Sequence, residues 1–222
     1  MNRQTPVHNL LSARNPSWGT LHDAPIALRF VEMDTEHEAL KTLALCDVSA
    51  FRTIGVKGPG AGAFLRVQNV DPPPLDETYA TRPLDDGLVV RLGADEFFLE
   101  SGIESQTYDH IAHALTRNAN TMPGVYPIVR EDASFIIAGK RAREVLAQTC
   151  GVNFRNEPPG KVVLTRVAGV NVMILPSGDA SPRYRVWLDP SYATYLWQQL
   201  DDIVHDLNGK VVGAACVYPQ LA

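Results

Sequence analysis

A short strand, a glycine turn and an amphipathic helix occur twice in this chain at one fixed offset. In the first copy, Phe51 to Val56 reads as a strand, with Ile54 and Val56 on one face and Thr53 and Lys57 on the other. Gly58-Pro59-Gly60 turns the chain, because glycine tolerates positive φ and proline fixes its own φ. Ala61, Phe64 and Leu65 then fall at i, i+3 and i+4, the spacing of one helix face. In the second copy, Ser134 to Ala138 is the strand, Gly139 the turn, and Ala142, Val145 and Leu146 the helix face. Four pairs of positions, from Gly58 and Gly139 to Leu65 and Leu146, lie 81 residues apart. A constant offset of this kind marks an internal duplication. The turn is not a phosphate loop, since GxxxxGK[ST] is absent, and its glycines serve packing.

The segments around each copy complete the pattern. Gly87 to Leu92 and Glu96 to Glu100 read as strands joined at Gly93-Ala94-Asp95. Ser101 and Glu104 have capping-box spacing, and Tyr108, Ile111, Ala112 and Leu115 share a helix face. Lys161 to Val167 and Val170 to Leu175 form a second hairpin about Ala168-Gly169, followed by a strand from Tyr184 to Leu188. Asp189-Pro190 is a strong helix start, and Ala193, Leu196, Trp197, Leu200 and Val204 make the longest apolar stripe in the chain. Lys210 to Cys216 reads as a closing strand. Each half is therefore strand, helix, strands, helix. That order predicts an α+β fold, two related halves of mixed β-sheet flanked by helices. Proline-rich breaks set the expected divisions: residues 1–25 as a polar N-terminal arm, 26–124 as the first half and 125–222 as the second.

Composition narrows the function. A formal net charge of −5, with no basic cluster interleaved with aromatics, argues against nucleic acid as partner. No apolar run is long enough to span a membrane. The first residues lack a secretory h-region, so a cytoplasmic location is expected. Cys46, Cys150 and Cys216 are widely spaced and odd in number, which fits neither a disulfide framework nor a zinc site. His110 and His113 share a helix face without a second ligand pair, so no metal is expected.

No GxSxG, HExxH or GxGxxG is present, and no catalytic residue is assigned. The polar turns best able to hold a ligand are Asp85-Asp86-Gly87 and Ser177-Gly178-Asp179. Paired carboxylates before a strand are a reasonable general base, although adjacent acids in turns are more often simply solvated. Trp187 and Trp197 lie on periodic apolar faces and read as core or interface anchors.

Taken together, LALCDVSAFRTIGVKGPGAGAFL, DDGLVVRLGADEFFLES, ASFIIAGKRAREVLAQ, RYRVWLDPSYATYLWQQL and the closing GKVVG resemble the folate-binding T-protein superfamily of the glycine cleavage system. The likeness runs in order over about residues 40 to 215. It implies a T-protein-like folate-binding fold, here without the C-terminal barrel of full-length transferases. Within the superfamily, VLAQTCGVNFR, LTRVAGVNVMILP, RYRVW and DPSYATYLW are most similar to gamma subunits of heterotetrameric sarcosine oxidases.

Departures from the family pattern set the functional expectation. Folate-binding members carry an aspartate directly before the LVV strand; here that place is Gly87, and Asp86 is one residue early. A one-residue slip can turn a side chain to the other face. They also carry a glutamate in a strand that here reads Tyr184-Arg185-Val186, and arginine has no acceptor for the pterin's N–H groups. The GARD segment is replaced by Gly213-Ala214-Ala215-Cys216. The resemblance with these losses implies a non-catalytic subunit that binds no cofactor itself. Its partners would be alpha, beta and delta subunits, with FAD, FMN and NAD held on those chains. The complex would oxidatively demethylate sarcosine or a related N-methyl amine and pass the one-carbon unit to tetrahydrofolate. Trp18 and Tyr218 are expected at the contact surface. The alternative is a stand-alone tetrahydrofolate-binding aminomethyltransferase-like protein, with Tyr79, Asp85 and Asp86 as folate-binding residues.

Overall fold

The structure, a computed structural model, describes residues 3–118, 122–155, 159–177 and 182–222. The chain opens with a short helix, α1 (His8–Ser12), and a hairpin of β1 (Ser17–Leu21) and β2 (Ala24–Arg29). Helix α2 (Met33–Thr42) leads into β3 (Ala44–Asp47). The first copy of the repeated pattern is β4 (Thr53–Lys57) and α3 (Ala61–Val67). Then come β5 (Thr81–Leu84), β6 (Gly87–Gly93), β7 (Glu96–Glu100), α4 (Gln106–Asn118) and β8 (Tyr126–Val129). The second copy is β9 (Ala133–Ala138) and α5 (Ala142–Thr149). Strands β10 (Val163–Val167), β11 (Val170–Ser177) and β12 (Arg183–Leu188) precede α6 (Ala193–Asp206), β13 (Lys210–Val211) and α7 (Ala214–Val217). The fold is α+β, with several sheets flanked by helices.

Two compact units share the chain. One comprises Met1–Ala50, Asp132–Pro159 and Val163–Ala222; the other comprises Phe51–Glu131 and Gly160–Val162. The first holds a six-stranded sheet in the order β10-β11-β12-β9-β3-β13. All its neighbours are antiparallel except β13 and β3, which are parallel. Phe135, Ile137, Val186 and Leu45 pack with α5 and with the α6 stripe of Leu196, Trp197 and Leu200, all fully or nearly fully buried. The Phe135 and Trp197 rings meet edge to face at 5.1 Å. The second unit holds a five-stranded antiparallel sheet, β5-β6-β7-β4-β8. Its core joins Val56, Val89, Phe97 and Leu99 to Phe64 and Leu65 of α3 and to Tyr108, Ile111 and Leu115 of α4. These are the helix faces read from the sequence.

The units divide the chain differently from sequential halves at 26–124 and 125–222. Residues 26–50 join the later residues because β3 pairs with β9, from Ala44 opposite Ala138 to Asp47 opposite Phe135. Residues 3–25 do not form the expected arm. Val7 and Leu11 lie in the six-stranded unit's core, and β1 pairs with β2. The prolines mislead there, since Pro16 precedes a strand and Pro25 sits within one. The expected strand at Lys210–Cys216 stops after Val211. Gly213 lies so close to Leu28 that an added Cβ would fall 2.0 Å from its carbonyl oxygen, and the chain turns into α7.

Candidate functional site

The turn between β5 and β6 carries both candidate carboxylates. Leu84 pairs with Gly87, so Asp85 and Asp86 are the two central residues of a tight hairpin. Asp85 adopts φ of +52°, a conformation that aspartate tolerates better than most residues. Its carboxylate accepts the Thr107 N–H at 2.9 Å and the Thr107 hydroxyl at 2.7 Å. Thr107 lies in the first turn of α4, where backbone N–H groups have no partner within the helix. Asp85 therefore caps α4 from across the sheet edge. Asp86 accepts the Ile103 N–H at 2.7 Å and the Glu104 N–H at 3.4 Å. Gly102 makes room for it: an added Cβ there would meet Asp86 Oδ1 at 1.6 Å. The expected capping box of Ser101 and Glu104 is not the start of α4, which begins at Gln106 and takes its cap from Asp85.

The three candidate folate residues are only partly brought together. Asp85 lines a small cavity of about 300 Å³ with Asn69, Asp71, Arg82, Leu84 and Thr107. Arg82 there is engaged by Glu77 at 2.9 Å. Asp86 and Tyr79 are not among the lining residues. Tyr79 has φ of +70°, donates its N–H to Arg91 O and accepts the Val162 N–H, each at 2.8 Å. It is a backbone junction and is 38% exposed. Of the other polar turn, Ser177 closes β11 and donates to Arg183 O at 3.1 Å; Gly178 and Asp179 lie outside the described residues.

Sequence reasoning passed over a buried polar cluster in the six-stranded unit. Asp47 ends β3 and accepts the Ser49 hydroxyl at 2.6 Å and the Ser49 N–H at 3.3 Å. Ser49 in turn accepts the Ser134 N–H at 2.9 Å. Burial pushes the Asp47 carboxyl above its ordinary value, against hydrogen bonds from Ser49 and Thr5 and the charge of Arg185. Arg185, buried in β12, donates to the Tyr218 hydroxyl at 3.0 Å. Tyr218 is thus held inward, and Trp18 packs on the core with its ring 4.6 Å from that of His8. Both side chains remain half-buried. The signal available for the cluster was Asp47-x-Ser49, the spacing of a side chain that bonds its own backbone two residues on.

Cys46 and Cys216 are poor nucleophiles. Burial pushes the Cys46 thiol well up and Cys216 up to about 11, so neither forms a thiolate near neutral pH. Among the described residues, no three His, Cys, Asp or Glu side chains converge on a metal position. No helix among them is long and apolar enough to cross a membrane.

A family model described as the GCVT N-terminal domain matches residues 8–218. The chain belongs to this family. Among GCVT relatives, the aminomethyltransferase of Saccharopolyspora erythraea is 22% identical over 227 residues, covering 96% of this chain. The chain spans 61% of that curated relative's length. The glycine cleavage system aminomethyltransferase T of Bartonella henselae superposes with a TM-score of 0.77 at 21% identity, over 97% of this chain and 61% of that one. A chain of the heterotetrameric sarcosine oxidase of Corynebacterium sp. U-96 superposes with a TM-score of 0.67 at 18% identity. That match covers 94% of this chain and 98% of the other. These likenesses establish the GCVT N-terminal fold.

Proposed function

We propose that this GCVT-family chain is a non-catalytic, gamma-type subunit of a sarcosine oxidase-like heterotetramer in the cytoplasm. Alpha, beta and delta subunits would be its partners and would hold FAD, FMN and NAD. The complex would oxidatively demethylate sarcosine or a related N-methyl amine and pass the one-carbon unit to tetrahydrofolate on another chain. One observation carries the reading. Both carboxylates nearest the family's folate position already hold backbone N–H groups between Ile103 and Thr107. Each carboxylate already accepts two hydrogen bonds from this segment, so a ligand there would share its remaining lone pairs with a structural role rather than meet a free base. Arg185 adds to this by placing a donor where folate-binding members have an acceptor. The near-complete overlap with a sarcosine oxidase chain supports the assembly role.

Co-expression with the genes beside it, followed by affinity capture and size-exclusion chromatography, tests the proposal. Stoichiometric co-elution with flavin-bearing subunits is expected. A well-behaved monomer with no affinity for them would refute it. The second reading, a tetrahydrofolate-binding aminomethyltransferase, is favoured by Asp85 at the mouth of a polar cavity. Calorimetric titration of the chain with tetrahydrofolate separates the two: micromolar binding that is lost in Asp85→Ala or Asp86→Ala establishes the second.

A further inference from the structure

Strand β13 ends the six-stranded sheet and leaves the backbone of one residue unpaired. Lys210 donates its N–H to Leu43 O at 3.1 Å, and Val212 donates its N–H to Leu45 O at 2.9 Å. Successive backbone groups along a strand point to opposite sides. The N–H and C=O of Val211, between these two, therefore face away from β3. No strand lies beyond β13 in the sheet. Among the described residues, neither group has a hydrogen-bond partner. Yet Val211 is only 8% exposed. Buried backbone donors and acceptors are nearly always paired, so these two call for a partner.

Val211 lines a cleft of about 730 Å³ within the six-stranded unit. Phe30, Val31 and Val204 complete its apolar floor, and Val31 is exposed. Glu36, fully buried, accepts the Phe30 and Val31 N–H groups at 2.6 and 3.1 Å and the Gly213 N–H at 2.9 Å. One carboxylate thus ties the Phe30 side of the cleft to the chain just past β13, so the cleft is preformed. The remaining wall is the C-terminal end of α6, with Asp201, Asp202 and Asp206. Asp201 is paired with Arg14. Asp202 and Asp206 are exposed and, among the described residues, have no ion-pair partner. The helix end adds partial negative charge there. Lys210 also borders the cleft, but it is shared with a second cavity lined by Asp34 and Glu38.

We propose that an extended, basic segment of a partner subunit docks in this cleft as an added strand on the outer edge of β13. Its backbone pairs with the Val211 N–H and C=O. An apolar side chain covers Phe30 and Val31, and a lysine or arginine beside it meets Asp202 and Asp206. Main-chain bonds fix the register, and the acidic wall selects a basic segment over an acidic one. The inference rests on the assembly proposed above and assigns a surface through which this chain enters it.

Amide hydrogen exchange of the full chain, free and in the co-expressed complex, tests it. The Val211 amide is expected to exchange rapidly in the free chain and at least about tenfold more slowly in the complex. Val211→Pro removes the outward donor and spares both bonds to β3, and proline is tolerated on an edge strand. It should leave the free chain folded and weaken assembly about tenfold. Asp202→Asn combined with Asp206→Asn should weaken assembly by about the same factor, with the difference shrinking at high salt. Asp76→Asn, at an exposed acid of the five-stranded unit, should change nothing. Should Val211→Pro unfold the chain, Val31→Glu is the second variant, an exposed change expected to block docking. A chain that elutes alone refutes this proposal and the assembly reading together. A complex in which Val211 exchanges as fast as in the free chain, or whose affinity the paired acid variant leaves unchanged, overturns the docking site alone.

Discussion

The two copies of strand, glycine and helix share a local device and differ in what surrounds it. In both, the glycine sits at positive φ, +110° for Gly58 and +104° for Gly139. In both, its carbonyl accepts the N–H of the first helical residue, Ala61 at 2.9 Å and Ala142 at 3.0 Å. In both, a Cβ would strike backbone: Gly124 O at 2.4 Å in the first, and the Thr42 carbonyl at 2.5 Å in the second. The sheets then diverge. Strand β9 lies inside its six-stranded sheet, between β12 and β3, with every residue buried. Strand β4 lies one place from an edge, covered there only by β8 with its exposed Tyr126 and Val129. Local backbone chemistry sets the turn; position in the sheet sets how much core depends on it.

Phe135→Ala in β9 should show the largest effect, a loss of about 3–5 kcal/mol, because a fully buried ring against Trp197 leaves a cavity. Urea denaturation checks it, and a loss below that of Val129→Ala on exposed β8 would break the contrast. Gly58→Ala and Gly139→Ala come next. Each should lose about 1–3 kcal/mol from the forced backbone, and more from the clash. Similar losses in the two would confirm that the device is local, whereas a silent change at either would show that its turn relaxes. Asp85→Ala should cost about 1 kcal/mol, the usual worth of a helix cap, with faster amide exchange in the first turn of α4.

The smallest effect is a pH dependence confined to the six-stranded unit. The folded Asp47 carboxyl titrates above its unfolded value, so the folded state holds its proton longer. The Asp47 contribution is therefore fully present below the ordinary aspartate value of about 4 and is lost as pH rises through the higher folded value. Asp47→Asn should flatten that slope in chemical denaturation followed across the acid range. A wild-type stability that rises with pH through an Asp47-dependent step would contradict the sign.

Much of the fold was legible because the helix stripes are unambiguous. Ala193, Leu196, Trp197, Leu200 and Val204 are all buried, as their spacing requires. The 81-residue offset also marks both turns, at Gly58 and Gly139. What was not legible is non-local. Nothing near Ala44 in sequence says that it pairs with Ala138, so the interleaving of the units was hidden. The site was half legible. Asp85 and Asp86 stood out as paired acids in a turn, but their partners, Ile103 and Thr107, lie 17 and 22 residues on and donate backbone N–H groups that carry no residue signature.

Amide hydrogen exchange over residues 81–107, with and without tetrahydrofolate, tests most directly whether these carboxylates serve the chain or a ligand. The account predicts Ile103 and Thr107 amides protected in the free chain, exposed by Asp86→Ala and Asp85→Ala respectively, and unchanged by tetrahydrofolate. Added protection across this segment on addition of tetrahydrofolate, lost in Asp86→Ala, would contradict it.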